Sequence, residues 1–375
     1  MPLLQTAFHA RTAALGARFD EYAGYELPYG FSADVLDEYW ACRQRAVVMD
    51  LTPLRKVEVT GPGAFALLQF AATRDLRRLG DGDVVYSALC DDEGRLLDDG
   101  TIFRFGPERF RWVGYTDDDE ALLAERAERL GVRVDLEAST HRLHNVAVQG
   151  PASREIVSAA VSMSGSRPVS ELRWFSFTTG SVGGADDVLV SRTGYSGELG
   201  YELWCRPEDG PALWDALLKE GAAKGLCPFG LDALDIIRIE AGLIFKGYEY
   251  EGSEDPFEAG IGFTVAAAKP DDFAGSSALA SRREHPTQRL VGLEVEGSEP
   301  AAHGDEIFAG DERAGVVTSG AFSPMLDKNL ALARVAADRS AQGERLDVRR
   351  SGGGSAAARV VRFPFYDPEK TRPRS

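Results

Sequence analysis

One local pattern occurs twice in this chain, and it restricts the possible folds more than any other feature. Arg55–Thr60 alternates, with Val57 and Val59 on one face, and stops at Gly61-Pro62-Gly63 ahead of the apolar run Ala64–Ala72. Asn145–Gln149 alternates in the same way and stops at Gly150-Pro151 ahead of Ser153–Ala160. A period of two marks a half-buried strand, a Gly-Pro step ends it, and an apolar run at helical spacing follows. Val57–Pro62 and Val146–Pro151 therefore read as equivalent points of two similar α+β units, an internal duplication. Around the first, the order is strand, helix, strand, strand, strand, helix, the last being Asp117–Leu130. Around the second lie strands at Val188–Arg192 and Glu198–Trp204, then amphipathic helices at Pro211–Gly225 and Leu231–Leu243. In the last helix Asp235 is expected to pair with Arg238, one turn on.

Beyond Pro270 the texture changes to short segments: Leu290–Glu296, Asp305–Ala309, Arg313–Ser319, Asn329–Val335, Arg345–Val348 and Ala357–Arg362. Gly, Ser, Asp and Pro separate them, with Ser351–Ser355 a glycine-rich hairpin tip, a spacing that predicts a small all-β barrel or sandwich. The tail Asp367–Ser375 is polar and expected to fray. Toward the other end, apolar residues from Leu3 to Arg18 recur at helical spacing. Tyr22, Tyr25, Tyr29 and Phe31 either line a cleft or pack together. Pro256–Gly262 reads as a connector before a short strand.

Bulk properties narrow the function. A chain of 375 residues suggests two or three domains. With 42 basic and 59 acidic residues the formal charge is −17, which argues against nucleic acid and anionic membranes as partners. No run approaches the ~20 apolar residues of a membrane span, and Met1–Ala10 does not resemble a signal peptide. Cys42, Cys90, Cys205 and Cys227 lack metal-ligand spacing and read as reduced core thiols of a cytoplasmic protein, with neither a disulfide framework nor a metal site. Gly180–Gly184 is a turn by composition, and no redox-cofactor motif is present.

The stretch with chemistry in it is Gly94-Arg95-Leu96-Leu97-Asp98-Asp99-Gly100, between the runs Val84–Leu89 and Thr101–Phe105. Adjacent carboxylates at the start of an extended strand point to opposite sides. One can face solvent while the other faces a pocket, where it would serve as an acid/base or charge-stabilising group. The same composition also suits a plain hairpin.

Fragments in a fixed order then add up to a resemblance. They are Asp20–Pro28, Asp50-Leu51-Thr52 with Val59–Pro62, Gly94–Gly100, Val148–Pro151, Ser191–Glu198 with Gly200-Tyr201-Glu202, Arg238–Gly242, Thr318–Pro324 and Phe363–Tyr366. Together they resemble the T protein of the glycine cleavage system, the tetrahydrofolate-dependent aminomethyltransferase, and its relatives. The resemblance implies an α+β, three-lobed disc with two α+β lobes, a small C-terminal β-barrel lobe and a central folate channel. Its lobes would be 1–54 plus 145–270, 55–144 with the acidic doublet, and 271–366, with 367–375 as a polar tail.

The same resemblance implies roles. Asp99 matches the family's essential carboxylate, with Asp98 the alternative, and would stabilise charge as folate N5 attacks the one-carbon unit. Tyr86 and Tyr195 match residues lining the pterin, and Glu202 matches the carboxylate pairing with its 2-amino and N3 hydrogens. This chain departs from the family at several points. Pro53-Leu54 stand for His-Met, Gly114 for Asn, Phe103 for Tyr, Leu234 for Arg and Lys246 for Tyr. Phe103 and Lys246 are expected along the channel, Lys246 restoring a cation displaced from position 234. The implied function is a tetrahydrofolate-dependent one-carbon transferase moving an aminomethyl, methylene or methyl group. Alternatives are a demethylase acting on a methylated amine, sulfonium or aryl ether, and a non-catalytic folate binder. The donor would be a small molecule or carrier-bound, with a lipoyl carrier protein or an oxidoreductase as possible partner.

Overall fold

The computed structural model describes residues 2–163 and 167–375. Each Gly-Pro stretch ends a strand with neighbours on both sides. β4 (Arg55–Thr60) lies between β7 (Arg109–Gly114) and β8 (Asp135–Ala138), and that five-stranded sheet continues through β6 (Leu96–Gly106) to β5 (Val84–Cys90). β9 (His144–Gln149) lies between β13 (Gly200–Cys205) and β3 (Ala46–Asp50) in a seven-stranded sheet. Its other strands are β10 (Val161–Met163), β11 (Phe177–Val182), β12 (Ala185–Ser191) and β14 (Leu226–Pro228). The turns lead into α3 (Ala64–Ala71) and α5 (Ser153–Ala160). Both require glycine: Gly61 has φ +105° and Gly150 φ +117°, and a Cβ on Gly150 would lie 2.7 Å from the carbonyl oxygens of Cys42 and Arg45.

Helices cover one face of each sheet. α3 and α4 (Asp119–Leu130) bury Leu67, Leu68 and Leu123 against Ile102, Phe110 and Trp112 of the five-stranded sheet. α5 and α6 (Gly210–Gly221) bury Ile156, Leu213 and Trp214 against Val146, Tyr201 and Leu203 of the seven-stranded sheet. The remaining faces meet each other, with Val84, Phe103 and Val113 packed on Phe177, Leu189 and Trp204. Strand alternation decides this sorting: Tyr201 and Leu203 point to the helices, Glu202 and Trp204 to the opposite sheet.

The C-terminal segments form a closed barrel of β15 (Gln288–Val295), β18 (Lys328–Ala336), β17 (Glu312–Ser323), β16 (Glu306–Ala309), β19 (Arg345–Arg349) and β20 (Ser355–Val361), in that order around the wall. Six strands leave a narrow interior, and Ala331 and Ala333 occupy it beside Leu293, Val317 and Val348. Leu290, Leu330 and Leu332 dock the barrel on Ile239, Ile244 and Tyr250.

The structure corrects four expectations. The helix near the N-terminus is confined to α1 (His9–Ala14), and Arg18–Tyr22 (β1) pairs with Tyr25–Gly30 (β2) as a hairpin instead. A 3-10 turn, Gly262–Thr264, stands where a short strand was expected. The acidic doublet lies inside β6, because that strand begins at Leu96. The tail is anchored rather than frayed: Asp367 accepts hydrogen bonds from Thr371 Oγ1 at 2.7 Å and the Arg372 N–H at 2.7 Å. Arg372 also reaches Glu198 at 3.4 Å, and Arg192 donates to the Pro373 carbonyl at 3.1 Å. Asp235 does pair with Arg238, at 2.8 Å. The four cysteines are free thiols, and among the described residues no helix is long and apolar enough to cross a membrane.

Candidate functional site

A cavity of about 520 Å³ lies between the two sheets, bounded by the 241–246 segment, by Phe263 and by the tail residues Tyr366, Lys370 and Pro373. That is an ordinary volume for a small-molecule site. Asp99, Tyr86, Tyr195, Glu202 and Lys246 are all on its wall.

Register brings the first two together. Tyr86 on β5 is paired with Thr101 on β6, so its side chain reaches diagonally to Asp99 and donates to Oδ2 at 2.6 Å. The other oxygen of Asp99, Oδ1, accepts from Tyr250 Oη at 2.5 Å. Burial, reinforced by the neighbouring Asp98, pushes the Asp99 carboxyl up to about 6 despite these two donors. Asp99 thus changes protonation state near neutrality inside a largely apolar cavity.

Asp98 is fully buried and off the cavity wall, so the solvent-facing partner expected of the doublet does not exist. Its Oδ2 accepts from the Tyr115 and Thr116 backbone N–H groups at 2.7 and 3.2 Å. Lys246 Nζ lies 3.6 Å from its Oδ1 and donates to the Leu97 carbonyl at 2.5 Å. Behind Asp98 is Asp119, also fully buried, whose Oδ2 accepts from Trp112 Nε1 at 2.6 Å. Burial and Asp98 push Asp119 up to about 9.

Gly114 makes room for this second carboxyl group. A Cβ there would lie 2.4 Å from Asp98 Oδ2, 2.6 Å from Asp119 Oδ2 and 2.6 Å from Trp112 Nε1. An Asn at this position is sterically incompatible with Asp119 where it stands. Gly114→Ala is expected to cost about 1–3 kcal/mol of stability, the usual range for overpacking, read as a lowered urea midpoint with unchanged m-value.

Phe103 does not reach the cavity. It lies on the same face of β6 as Asp99 and Thr101, but where the sheets close together its ring packs on Phe177 and Trp204, 5.6 and 5.5 Å between centroids. It is a core residue in this fold. Glu202 is also on the cavity wall, near Thr193, and burial pushes it up to about 7. Beneath it is Lys56, fully buried, donating to the Thr52 carbonyl at 2.8 Å. Burial holds Lys56 well below its ordinary value, with Asp50 and Glu202 opposing that shift. Tyr195 donates to the Ile244 carbonyl, which fixes its ring against the roof.

Sequence reasoning missed Tyr250, Asp119 and the mouth of the cavity. Tyr250 follows Glu249 in an irregular segment without periodicity, and Asp119 reads as one more acid at a helix start. At the mouth, Arg74 and Lys370 lie 5.7 and 5.8 Å from the ring of Phe263, a cationic, aromatic rim that includes part of the tail.

Comparison with known proteins gives consistent results. The family described as the GCVT N-terminal domain matches residues 8–269, and the glycine cleavage T-protein C-terminal barrel domain matches residues 288–367. The chain is 47% identical over 380 residues to a trimethylamine-oxide aldolase from Ruegeria pomeroyi, covering 99% of this chain but 48% of that protein. It therefore spans about half the length of that relative. It is 37% identical to an aminomethyltransferase from Symbiobacterium thermophilum, with 97% of each chain covered. Among solved structures, the glycine cleavage system aminomethyltransferase T from Bartonella henselae superposes with a TM-score of 0.88 at 27% identity, covering 98% of this chain and 99% of that one.

Proposed function

The chain belongs to the glycine cleavage T-protein family of folate-dependent transferases, and we propose that it passes a one-carbon unit to tetrahydrofolate held in the cavity between its two sheets. The observation that carries this reading is the two-ended polarity of that cavity. At one end, Glu202 faces the cavity with acceptor capacity on its carboxylate. It suits the two parallel donors of a pterin, the 2-amino group and N3. Tyr86 and Tyr195 supply the flat faces, and Asp99 lies among them. At the mouth, Arg74 and Lys370 suit the glutamate carboxylates.

Tetrahydrofolate supplies the nucleophilic nitrogen; this chain's residues bind, orient and set charge. Glu202 orients the ring. Asp99, aimed by Tyr86 and Tyr250, stabilises positive charge developing beside it and takes up the proton released. The low-dielectric walls strengthen that interaction. The donor is a small molecule or a carrier-bound group made by another protein, a lipoyl carrier or an oxidoreductase among the candidates. The relative named as a trimethylamine-oxide aldolase favours an N-methyl compound as the ultimate source of the carbon.

Anaerobic calorimetry with tetrahydrofolate tests the binding half of this reading, and micromolar affinity is expected. A donor screen, read by mass spectrometry as 5,10-methylene- against 5-methyl-tetrahydrofolate, tests the transfer half. Absence of binding would reduce the family assignment to fold alone. Binding also has an expected pH dependence. Glu202 must be ionised to accept both pterin donors, and its folded value is about 7. Protonation below that value removes the binding form, so the dissociation constant should be about tenfold weaker at pH 6 than at pH 8. Glu202→Gln should abolish this dependence and weaken binding at pH 8.

A further inference from the structure

Resting on the proposed folate reading, we infer that Tyr250 is a positioning residue wiring Asp99 to a buried Asp98–Asp119 pair that holds one proton, which gives Asp99 a route for proton exchange within the protein. The geometry carries this. Tyr250 Oη lies 2.5 Å from Asp99 Oδ1 and 3.2 Å from Asp98 Oδ1, the one hydroxyl within reach of both carboxyl groups among the described residues. It is itself fully buried and absent from the cavity wall, so it acts on the site through Asp99.

Asp119 identifies the proton store. Its Oδ2 accepts from Trp112, but its Oδ1 is buried with no donor. An ionised carboxylate so placed would leave a charge-bearing oxygen unsatisfied at high cost. The neutral acid carries no such charge, and its Oδ2 faces the same spot beside Gly114 as Asp98 Oδ2, 2.6 and 2.4 Å from where a Cβ would stand. Asp98 in turn is served by two backbone N–H groups, with Lys246 nearby. The groups facing this hydrogen-bonded chain from the surrounding elements are Tyr86 on β5, Tyr115 after β7, Asp119 at the start of α4, Tyr195 after β12, and Lys246 and Tyr250 after α7 (Leu231–Glu240). Burial beside two carboxylates keeps Tyr250 a phenol, able to accept from one acid while donating to the other.

Such a chain matters when the group leaving the one-carbon unit needs protons. In moving a carbon at the formaldehyde level onto two nitrogens, the departing oxygen gains two protons and leaves as water, while each nitrogen loses one. No net proton is consumed, but protons must travel. A methyl group leaving a sulfonium departs from a neutral sulfide and needs none. The wiring therefore fits donors whose departing oxygen or nitrogen must be protonated.

The test begins without substrate. Carboxyl-carbon NMR of the full chain, with Asp99 assigned by difference from Asp99→Asn, follows its titration. The wild-type midpoint should lie near pH 6. Tyr250→Phe removes a donor to the ionised form, so the midpoint should rise by about one pH unit. The acidic limb of kcat should move with it, and kcat should fall about tenfold with KM for tetrahydrofolate within a factor of two. Asp119→Asn keeps the shape behind Asp98 but cannot pass a proton, and should lower kcat without changing that KM. It serves as the second variant if Tyr250→Phe does not fold. An unmoved Asp99 titration and acid limb in Tyr250→Phe, or wild-type kcat in Asp119→Asn, overturns the inference. Failure of the wild type to bind tetrahydrofolate would instead overturn the folate reading, with the carboxyl titration left intact.

Discussion

Asp99→Asn is expected to lower turnover about a thousandfold while changing tetrahydrofolate affinity by less than about threefold. The substitution is nearly isosteric. The amide oxygen can still accept from Tyr250 or Tyr86, and the amide nitrogen can donate to the other hydroxyl, so the shape of the wall survives. What disappears is a negative charge and a proton acceptor in a largely apolar cavity. In the proposed chemistry a neutral nitrogen becomes cationic as it is alkylated, and that charge appears in the transition state rather than the ground state. Removing its counter-charge raises the barrier with little effect on binding. Steady-state kinetics beside calorimetry measure the two quantities separately. Activity within tenfold of wild type would move the essential role away from Asp99. A wild-type protein that binds folate but turns over no donor would favour the non-catalytic alternative.

Arg43→Ala should have the largest effect on stability, about 3–5 kcal/mol, read from urea denaturation. Arg43, on α2 (Val35–Gln44), is almost completely buried. Its guanidinium reaches Glu240 at 2.6 Å, Glu198 at 3.0 Å and the Ser196 carbonyl at 3.1 Å, and it stacks 4.0 Å from the ring centroid of Tyr366. Glu240 also accepts from Tyr39 at 2.7 Å and from Ser323 of the barrel at 2.5 Å. Arg43 and Glu240 together therefore join a helix near the N-terminus, the end of α7, the barrel and the start of the tail. Truncation would leave Glu240 buried without a cation and Glu198 with only Arg372, 3.4 Å away, and that uncompensated charge, rather than the lost contacts, supplies most of the cost. Arg43→Lys should recover only part of it, since an ammonium cannot reproduce the fork onto Glu240 and Glu198. A loss below about 1 kcal/mol would show that solvent reaches this hub.

These two residues differ in how visible they were beforehand. Asp99 could be singled out because an acidic doublet at a strand is chemically suggestive and because the ordered fragments tied this one to a family. Glu240 lies in one of those fragments, Arg238–Gly242, but Arg43 lies in none, and nothing local distinguishes it from an exposed helix arginine.

Features with a local cause could be read from the residues alone. Alternation marked the strands that end at Gly61-Pro62 and Gly150-Pro151, helical spacing marked α3 and α5, and the evenly punctuated segments after Pro270 marked the barrel. Backbone sterics and side-chain periodicity act over a few residues, so their signature survives in the linear order. Tertiary structure decided which side of each strand meets what. The opposite sides of Asp98 and Asp99 were foreseeable; that both would be buried was not, because α4 and the segment holding Tyr250 arrive from elsewhere in the chain. Tyr250 and Asp99 are 151 residues apart, and Arg43 and Glu240 are 197 apart. Phe103 shares a face with Asp99 but lies where the sheets close, and the polar tail is held by Arg192 and Glu198. No period encodes such meetings; they exist only once the two sheets stack and the barrel docks.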